Sequence, residues 1–404
     1  MSSFSSELAT GSALRIGIIG AGFIGAVHAR AARRVGARVV GVTASTPQNT
    51  TDAVARLGAE RGFARADDML ADGEIDVVHV CTPNDLHRPL AEAALAAGKH
   101  VVCEKPLAVD VAGARAMEAA AQAACRVATV PFVYRFYPMV REARARAAAA
   151  SGPARLVHGS YLQDWLSTAH DDNWRVDVAA GGRSRAFADI GSHWCDLVEF
   201  VTGDRIHSLC AELVTALPER ASGGDLHAFA TSRQAVDARR RVDTEDVALV
   251  TFRTGRGVAG SLVVSQISSG HKNQLRFEIA LADETLAFDQ EQPDALWVGR
   301  RGPSEIAMRD AAHLHPSAAA YVTVPPGHPQ GYQDCFDAFV GDTYRAVASS
   351  TTAAVDGLPT FADGARAAEI TDAVLRSADS RSWVEVESTI GSPAPAPTSK
   401  GSDS

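Results

Sequence analysis

A glycine-rich turn between a buried strand and a helix constrains the fold of this chain more than any other feature. The largely apolar residues 14–19 lead into the turn 20–25, of sequence GAGFIG, and a helical pattern follows. In such a turn the first glycine permits the tight bend, the second lets a pyrophosphate approach, and the third lets the helix pack on the strand. The helix N-terminus adds N–H groups that attract an anion. The turn therefore predicts a dinucleotide site, formed by Gly20, Gly22, Phe23, Ile24 and Gly25.

Residues 14–150 alternate short apolar runs with helical patterns. Further strands are predicted at 39–42, 76–81, 100–103 and 127–130, and the clearest helix at 86–97, with Gly98 in the C-cap position. Strands that are apolar throughout are buried on both faces, as in a parallel sheet covered by helices. We therefore predict an α/β Rossmann domain over residues 14–150.

The alternation of apolar runs and helical patterns ends at about residue 154. Strands predicted at 247–253, 258–266, 275–281, 285–289 and 295–298 are separated by short turns, which is typical of an antiparallel sheet. Helical patterns return at 331–340 and after the capping-box pair Thr360 and Asp363. We predict a second, α+β domain over residues 151–388, with a large, mostly antiparallel open sheet. The polar stretch 217–244 is interpreted as a mobile insertion, and residues 1–13 and 389–404 as disordered.

Composition excludes several classes of partner. The net charge of −9 and a pI near 5.8 disfavour nucleic acid and acidic membrane surfaces. The sequence shows no apolar run of the ~18 residues that span a bilayer, and its first dozen residues lack the pattern of a signal peptide. Six cysteines without a CxxC pair indicate reduced thiols, not a disulfide frame or a metal site. We expect a cytoplasmic protein without a metal.

The end of the second strand bears on the choice of cofactor. An acid that binds the ribose normally stands roughly 20 residues after the glycine turn, but the sequence here is VTASTP, with neither an acid nor a cation. Ser45 and Thr46 can hydrogen-bond either NAD or NADP. Because a 2′-phosphate without a nearby cation is poorly compensated, we predict NAD, with NADP not excluded.

Two more groups of polar residues follow strands at the edge where ligands bind in open parallel sheets. Thr82, Pro83, Asn84 and His87 follow one strand, and Glu104-Lys105-Pro106 follows the next. We predict that they line the cofactor crevice. The alternatives are that Asn84 caps the next helix and that Lys105 is a solvated loop residue.

Asp189, His193 and Asp196 are spaced i, i+4 and i+7, so a helix would place them on one face. Apolar neighbours predict that this face is partly buried. A buried histidine–carboxylate pair serves proton transfer, because the carboxylate fixes the tautomer and supports the imidazolium. The alternative is a structural histidine.

These residues, taken together, resemble the Gfo/Idh/MocA family, the group of glucose–fructose oxidoreductase and inositol dehydrogenase. The resemblance covers residues 14–386 and rests on the glycine turn, Thr82-Pro83-Asn84-x-x-His87 and Glu104-Lys105-Pro106. It also rests on residues 134–138, of sequence YRFYP, and on the segment from Gly181-Gly182 to Asp189-x-Gly191-x-His193-x-x-Asp196. It implies a Rossmann domain followed by a domain whose open sheet serves oligomer contacts, as a homodimer or homotetramer.

Residue by residue, the resemblance implies that Lys105 lies near the nicotinamide, that His193 is the catalytic acid/base and that Asp189 is the carboxylate beside it. Arg183 departs from the family's third glycine, and Ser184-Arg185 extend the loop, which puts substrate contacts there in doubt. Residues 161–165 look most like sugar dehydrogenases that act on levoglucosan and related pyranosides. The candidate substrate contacts are Tyr161, Gln163, Asp164, Trp165, Trp174, Arg175, Asp189, His193 and His328.

The sequence thus favours reversible hydride transfer between a sugar or cyclitol carbinol carbon and a nicotinamide. Two alternatives remain open at this point. One is redox-assisted cleavage of a glycosidic bond with a retained NAD, and the other is a non-catalytic dinucleotide sensor.

Overall fold

The first half of the chain forms a six-stranded parallel sheet. The computed structural model describes residues 13–221 and 238–387. The strand order is β3-β2-β1-β4-β5-β6, and every adjacent pair is parallel. The predicted Rossmann architecture is confirmed, and the short, exposed β3 is its one unpredicted strand. The strands are β1 (Arg15–Ile19), β2 (Arg38–Thr43), β3 (Arg61–Gly62), β4 (Val77–Val80), β5 (His100–Cys103) and β6 (Ala128–Thr129).

Helices cover both faces of this sheet, as the continuously apolar strands require. Thr46 caps helix α2, its hydroxyl accepting from the backbone N–H of Asn49, and Asp110 caps α5 by accepting from the backbone N–H of Gly113. Helix α1 has no side-chain cap. The helices are α1 (Phe23–Arg34), α2 (Pro47–Leu57), α3 (Ala66–Leu70), α4 (His87–Ala96), α5 (Val111–Ala124) and α6 (Pro138–Ala149).

The second half contains a nine-stranded sheet in the order β16-β15-β14-β13-β7-β12-β11-β8-β17. All adjacent pairs are antiparallel except the parallel pair β7 and β12 at its centre. The predicted large, mostly antiparallel sheet is confirmed. A separate two-stranded antiparallel sheet pairs β9 (Glu219–Ala221) with β10 (Arg239–Arg241). The large sheet consists of β7 (Leu156–Leu162), β8 (Ile206–Val214), β11 (Val247–Thr254), β12 (Ala259–Ser265), β13 (Gln274–Ala280), β14 (Thr285–Asp289), β15 (Ala295–Gly299), β16 (Glu305–Met308) and β17 (Val384–Glu385).

The helices of the second half connect the two sheets. Helix α11 begins at the predicted capping box, where Asp363 accepts from the backbone N–H of Thr360 at 2.7 Å. Phe361 and Ala365 then pack into the hydrophobic core between the first sheet and the helices that cover it. A π-helical turn, Phe187–Gly191, directly precedes α8. The helices are α7 (Val178–Gly181), α8 (Ser192–Thr202), α9 (Pro316–Ala319), α10 (Tyr332–Ser349) and α11 (Phe361–Ser380).

Three predicted features lie largely outside the described residues. The predicted mobile insertion 217–244 is described only at its two ends. The predicted disordered termini, 1–13 and 389–404, lie outside the described residues except for residue 13. Within the described residues, no helix has the length and apolar character needed to cross a bilayer.

Candidate active site

The glycine turn has the close contacts that its sequence predicts. Gly20 has φ +99°, and a Cβ there would lie 2.4 Å from the carbonyl oxygen of Cys81. A Cβ on Gly25 would lie 2.2 Å from the carbonyl oxygen of Gly20, whereas a Cβ on Gly22 would meet no protein atom within 4 Å. The first turn of α1 also lacks an acidic residue. Open space at Gly22 before an uncapped helix N-terminus fits a pyrophosphate.

Residues 43–47, at the end of strand β2, include no cationic side chain for a 2′-phosphate. The Thr46 hydroxyl caps α2, and the Ser45 hydroxyl accepts from the Asn49 side chain at 3.1 Å. Arg38 forms two hydrogen bonds with Glu60, at 2.9 and 2.7 Å. The environment of Ser45 and Thr46 therefore favours an uncharged ribose hydroxyl.

Asn84 and His87 join loops around the crevice. The Asn84 amide donates to the carbonyl of Gly181 at 3.0 Å and so links the loop after β4 to the end of helix α7. The ring nitrogens of His87 lie 3.0 Å from the Thr82 carbonyl and 2.9 Å from the Pro106 carbonyl. Helix α4 has no side-chain cap, so the alternative role of Asn84 as a cap is not observed.

Lys105 reaches across the crevice to Asp189. Its Nζ donates to Asp189 Oδ1 at 2.7 Å and to the Asp189 carbonyl at 2.8 Å. The two side chains are only 14% and 12% exposed. The alternative of a solvated loop lysine is therefore wrong, and two residues 84 positions apart form one buried ion pair.

Cationic and amide donors surround the Asp189 carboxylate. Arg175 Nε lies 3.4 Å from Oδ1, and the buried Gln266 donates to Oδ2 at 2.8 Å. Burial alone would raise the pKa of Asp189, but the charges of Lys105 and Arg175 outweigh it and lower the pKa below its ordinary value. Asp189 is thus a carboxylate at neutral pH. Gln266 was not predicted, because one amide at the end of a strand has no distinguishing pattern.

His193 lies beside this pair in an aromatic environment. Its ring packs edge-on against Phe132 and Tyr134, at centroid distances of 5.6 and 4.9 Å. Burial, reinforced by the charge of Lys105, lowers the pKa of His193 well below its ordinary value, against the opposing effect of Asp189. Its Nδ1 is buried and lacks a hydrogen-bond partner among the described residues. A neutral imidazole in this position can accept a proton.

The hydrogen-bond partners of Asp189 and Asp196 differ from the predicted histidine–carboxylate pair. Asp189 lies in the π-helical turn, where the wider i→i+5 hydrogen bonding shifts the register expected of an α-helix. No hydrogen bond joins Asp189 to His193, because the carboxylate is bound by Lys105 and Gln266. Asp196 instead pairs with Arg135. Asp196 therefore anchors α8 to the segment that precedes α6.

Three of the predicted substrate contacts belong to one hydrogen-bonded network near His193. The Tyr161 hydroxyl and the Gln163 amide both donate to Asn273 Oδ1, at 2.8 and 2.7 Å. Trp165 Nε1 donates to Gln163 at 2.9 Å, and the Tyr134 hydroxyl lies 2.5 Å from that of Tyr161. Neither Asn273 nor Tyr134 was among the predicted contacts. The approach of Asn273 to Tyr161 and Gln163 needs the pairing of β7 with β13, which sequence spacing does not reveal.

The remaining candidates separate into two groups. The Arg175 guanidinium lies over the Trp174 ring at 4.5 Å and faces Asp189. Asp164 forms an ion pair with Lys272 at 2.6 Å. His328 is exposed, and within the described residues no hydrogen bond or ring contact joins it to Lys105, Asp189 or His193. Trp174 and Arg175 therefore adjoin the Lys105–Asp189 pair, whereas the structure does not bring His328 to it.

The departure from the family pattern at 183–185 is structural. Arg183 points outward to Asp379, but Arg185 is fully buried and pairs with Asp246. The Glu245 carboxylate accepts from the Ser184 hydroxyl at 2.8 Å and from the Phe187 backbone at 2.9 Å. These contacts fix the start of the π-helical turn that carries Asp189.

Comparison with known proteins agrees with this geometry. Residues 14–132 match the oxidoreductase family with an NAD-binding Rossmann fold, and residues 140–287 match the GFO/IDH/MocA C-terminal domain. A levoglucosan dehydrogenase from Pseudarthrobacter phenanthrenivorans is 31% identical over 92% of this chain and 98% of its own. The chain belongs to the Gfo/Idh/MocA family. It is therefore an NAD-binding oxidoreductase.

Other members of the Gfo/Idh/MocA family are similar along most of their length. An inositol 2-dehydrogenase from Acidothermus cellulolyticus is 30% identical, over 71% of this chain and 76% of its own. A solved levoglucosan dehydrogenase in complex with NADH and levoglucosan superposes with a TM-score of 0.83. It is 29% identical and covers 93% of this chain and 100% of its own.

Proposed function

We propose that this protein is an NAD-dependent dehydrogenase that reversibly oxidises a CH–OH group of a sugar or cyclitol. The observation that carries the proposal is the Lys105–Asp189 ion pair beside a buried, neutral His193. A proton acceptor and a cation next to one crevice are what oxidation of a hydroxyl needs, because a proton must leave and negative charge develops on oxygen.

Each residue has a defined role in this proposal. His193 accepts the hydroxyl proton, and its depressed pKa leaves it unprotonated and ready to do so. Lys105 donates a hydrogen bond to the same oxygen and stabilises its developing negative charge, while Asp189 holds the amine in place. NAD, when bound, supplies the hydride acceptor at C4 of the nicotinamide. In the reverse direction His193 returns the proton to the carbonyl oxygen.

The proposed substrate is a pyranose or a cyclitol. Trp165, Trp174 and Tyr161 provide aromatic surfaces, and Arg175 and Gln163 provide polar groups, which is the combination that binds a polyhydroxylated ring. The similarity to levoglucosan dehydrogenase supports a pyranoside, and that to inositol 2-dehydrogenase supports a cyclitol.

The test is a screen of the purified protein with NAD against levoglucosan, related anhydro sugars, glucose and inositols, following the absorbance of reduced nicotinamide. Lys105→Met protein, prepared identically, controls for contaminating dehydrogenases. We expect NADH to accumulate in proportion to the substrate consumed. Substrate consumption without net NADH would instead indicate glycosidic cleavage with retained NAD, and binding of NAD without turnover of any polyol would contradict the proposal.

The open face of the large sheet supports self-association as a homodimer or homotetramer. Leu249, Val263 and Trp297 are 41%, 40% and 40% exposed on it, and Leu249 pairs directly with Val263. The double variant Leu249→Glu, Val263→Glu should shift the protein toward a monomer in sedimentation, because two charges would be buried in the contact. Ala97→Glu, on the Rossmann domain, is the matched control. A monomeric wild-type protein would contradict self-association.

A further inference from the structure

Two fully buried histidines lie in the interior of the Rossmann domain, outside the set of residues used above. His28 on α1 and His79 on β4 are both 0% exposed. They form a continuous chain of hydrogen bonds from helix α10 to the loop that carries Lys105. Tyr344 lies 2.9 Å from His79 Nε2, His79 Nδ1 lies 2.7 Å from His28 Nδ1, and His28 Nε2 lies 2.9 Å from Glu104 Oε1. Buried polar groups are not needed to fill a core and are costly when unsatisfied.

The contact between the two imidazoles restricts where the protons lie. At 2.7 Å a single proton must lie between the two Nδ1 atoms, since two would clash and none would leave two lone pairs facing each other. Burial lowers the pKa of His79 well below its ordinary value, so His79 is neutral. Burial opposes ionisation of Glu104, but the hydrogen bond from His28 lowers the pKa of Glu104 below its ordinary value.

Tyr344 sets the direction of the chain. Among the described residues its hydroxyl has no other hydrogen-bond partner, so it must donate to His79 Nε2 or leave its proton unsatisfied in the core. His79 then carries its proton on Nδ1 and donates to His28. His28 accepts at Nδ1, carries its proton on Nε2 and donates to Glu104. Every donor therefore points toward the carboxylate.

Glu104 links this series of hydrogen bonds to the adjacent residue, Lys105. Its second oxygen, Oε2, accepts from the backbone N–H of Lys105 at 3.1 Å. We infer that Tyr344 and His79 select the tautomer of His28 that holds Glu104 as a two-sided acceptor, and that this chain thereby positions Lys105. His28, His79 and Tyr344 are positioning residues in this inference, because they act on Lys105 through Glu104.

The first test measures the tautomers directly and does not depend on any substrate. Nitrogen-15 NMR of histidine-labelled protein, assigned with His28→Gln and His79→Asn, should show His28 protonated on Nε2 and His79 on Nδ1. Tyr344→Phe should shift the His79 signals away from that pattern. The opposite tautomers, or a wild-type pattern unchanged by Tyr344→Phe, would overturn the inference.

The second test uses a matched pair at one position and rests on the proposed function. A glutamine amide nitrogen lies near the position of Nε2, whereas that of asparagine lies near Nδ1. His28→Gln should therefore keep its donor to Glu104 and most of kcat. His28→Asn should lose about tenfold to a hundredfold in kcat, as small displacements of a reacting group do, with NAD affinity retained.

Thermal stability separates positioning from packing. Equal kcat in the two His28 variants would contradict positioning. So would a loss of kcat that appears only in a variant whose Tm is also lowered. If both variants fail to fold, Tyr344→Phe answers the same question, since it preserves the shape of the core. If the wild-type protein shows the expected tautomers but turns over no polyol, the proposed function is contradicted. The inferred order of hydrogen bonds from Tyr344 to Glu104 would still hold.

Discussion

Lys105 and His193 are the residues on which the proposed chemistry depends, since one stabilises the substrate oxygen and the other takes its proton. Lys105→Met and His193→Ala should each lower kcat by at least about a hundredfold, while NAD still binds. Because both act on one hydroxyl, the double variant should lose far less than the product of the single losses. Steady-state kinetics on the substrate found in the screen, with NAD titrated separately, measures both effects.

His313→Ala is the matched control for the histidine variant. His313 is exposed, and within the described part of the chain its side chain pairs only with Asp310, so its removal should leave kcat unchanged. Near-normal turnover in either the Lys105 or the His193 variant would show that the residue is structural and that the mechanism is wrong.

Apart from β3, the strands of the first sheet followed from sequence pattern, as did helix α4, because a parallel sheet covered on both faces leaves continuous apolar runs. Strand β5 has the predicted bounds, and β1, β4 and β6 differ from prediction only at their ends. In the second half β9 and β10, at the two ends of the predicted insertion, and β17 were not predicted, and neither were β7, β8 and β16. The burial patterns of β7 and β8 do not alternate regularly between a buried and an open face. In addition, β7 pairs with its neighbour β12 in parallel, and no turn sequence specifies that pairing.

The glycine turn before α1 offers a matched pair of substitutions. Gly22→Val should fold normally, because a Cβ there meets no protein atom within 4 Å, yet it should weaken NAD binding severely by filling the pyrophosphate space. Gly25→Val should instead lower stability, since its Cβ would collide with the Gly20 carbonyl. Cofactor titration and thermal denaturation of both variants test this. Unchanged NAD affinity in Gly22→Val would mean that the turn is only structural.

The junction of β2 and α2 should determine the choice of cofactor. We predict a modest preference for NAD over NADP in the wild type, because Ser45 and Thr46 are neutral and Arg38 is bound by Glu60. Ser45→Arg should reduce or reverse the preference by adding a cation for the 2′-phosphate. Affinities for both cofactors measure the ratio. A strong wild-type preference for NADP would show that a cation from another segment reaches the site.

The free energy of unfolding of the whole molecule should depend on pH, because histidines are buried in their neutral form. The pKa of His193 is lowered on folding, mainly by burial, so below its ordinary pKa near 6.5 the unfolded chain binds a proton that the folded chain does not. Stability must then fall as pH falls, by about 1.4 kcal/mol per pH unit for one such group. Asp196 acts in the opposite sense over the same range, because burial raises its pKa to about 7.

A comparison of variants isolates the histidine from these opposing groups. The stability of His193→Ala relative to wild type should improve between pH 7 and pH 5, by on the order of 1 kcal/mol per unit. Urea denaturation at several pH values measures it, with His313→Ala as the exposed control. A difference that does not change with pH would mean that His193 is not held neutral by the fold.

The sequence by itself determined the Rossmann fold, the glycine turn and the identity of Lys105, Asp189 and His193 as candidates. These features are local, because a turn, an apolar run or a resemblance of motifs depends on neighbouring residues. Only the tertiary structure decided which of them meet. Asp189 is hydrogen-bonded to Lys105 and not to His193, Asp196 pairs with Arg135, and Gln266 joins the site from the end of a strand distant in sequence. Each of these contacts forms across a packed interface between elements, and its geometry is set by the packing of whole elements, which spacing along the chain does not encode.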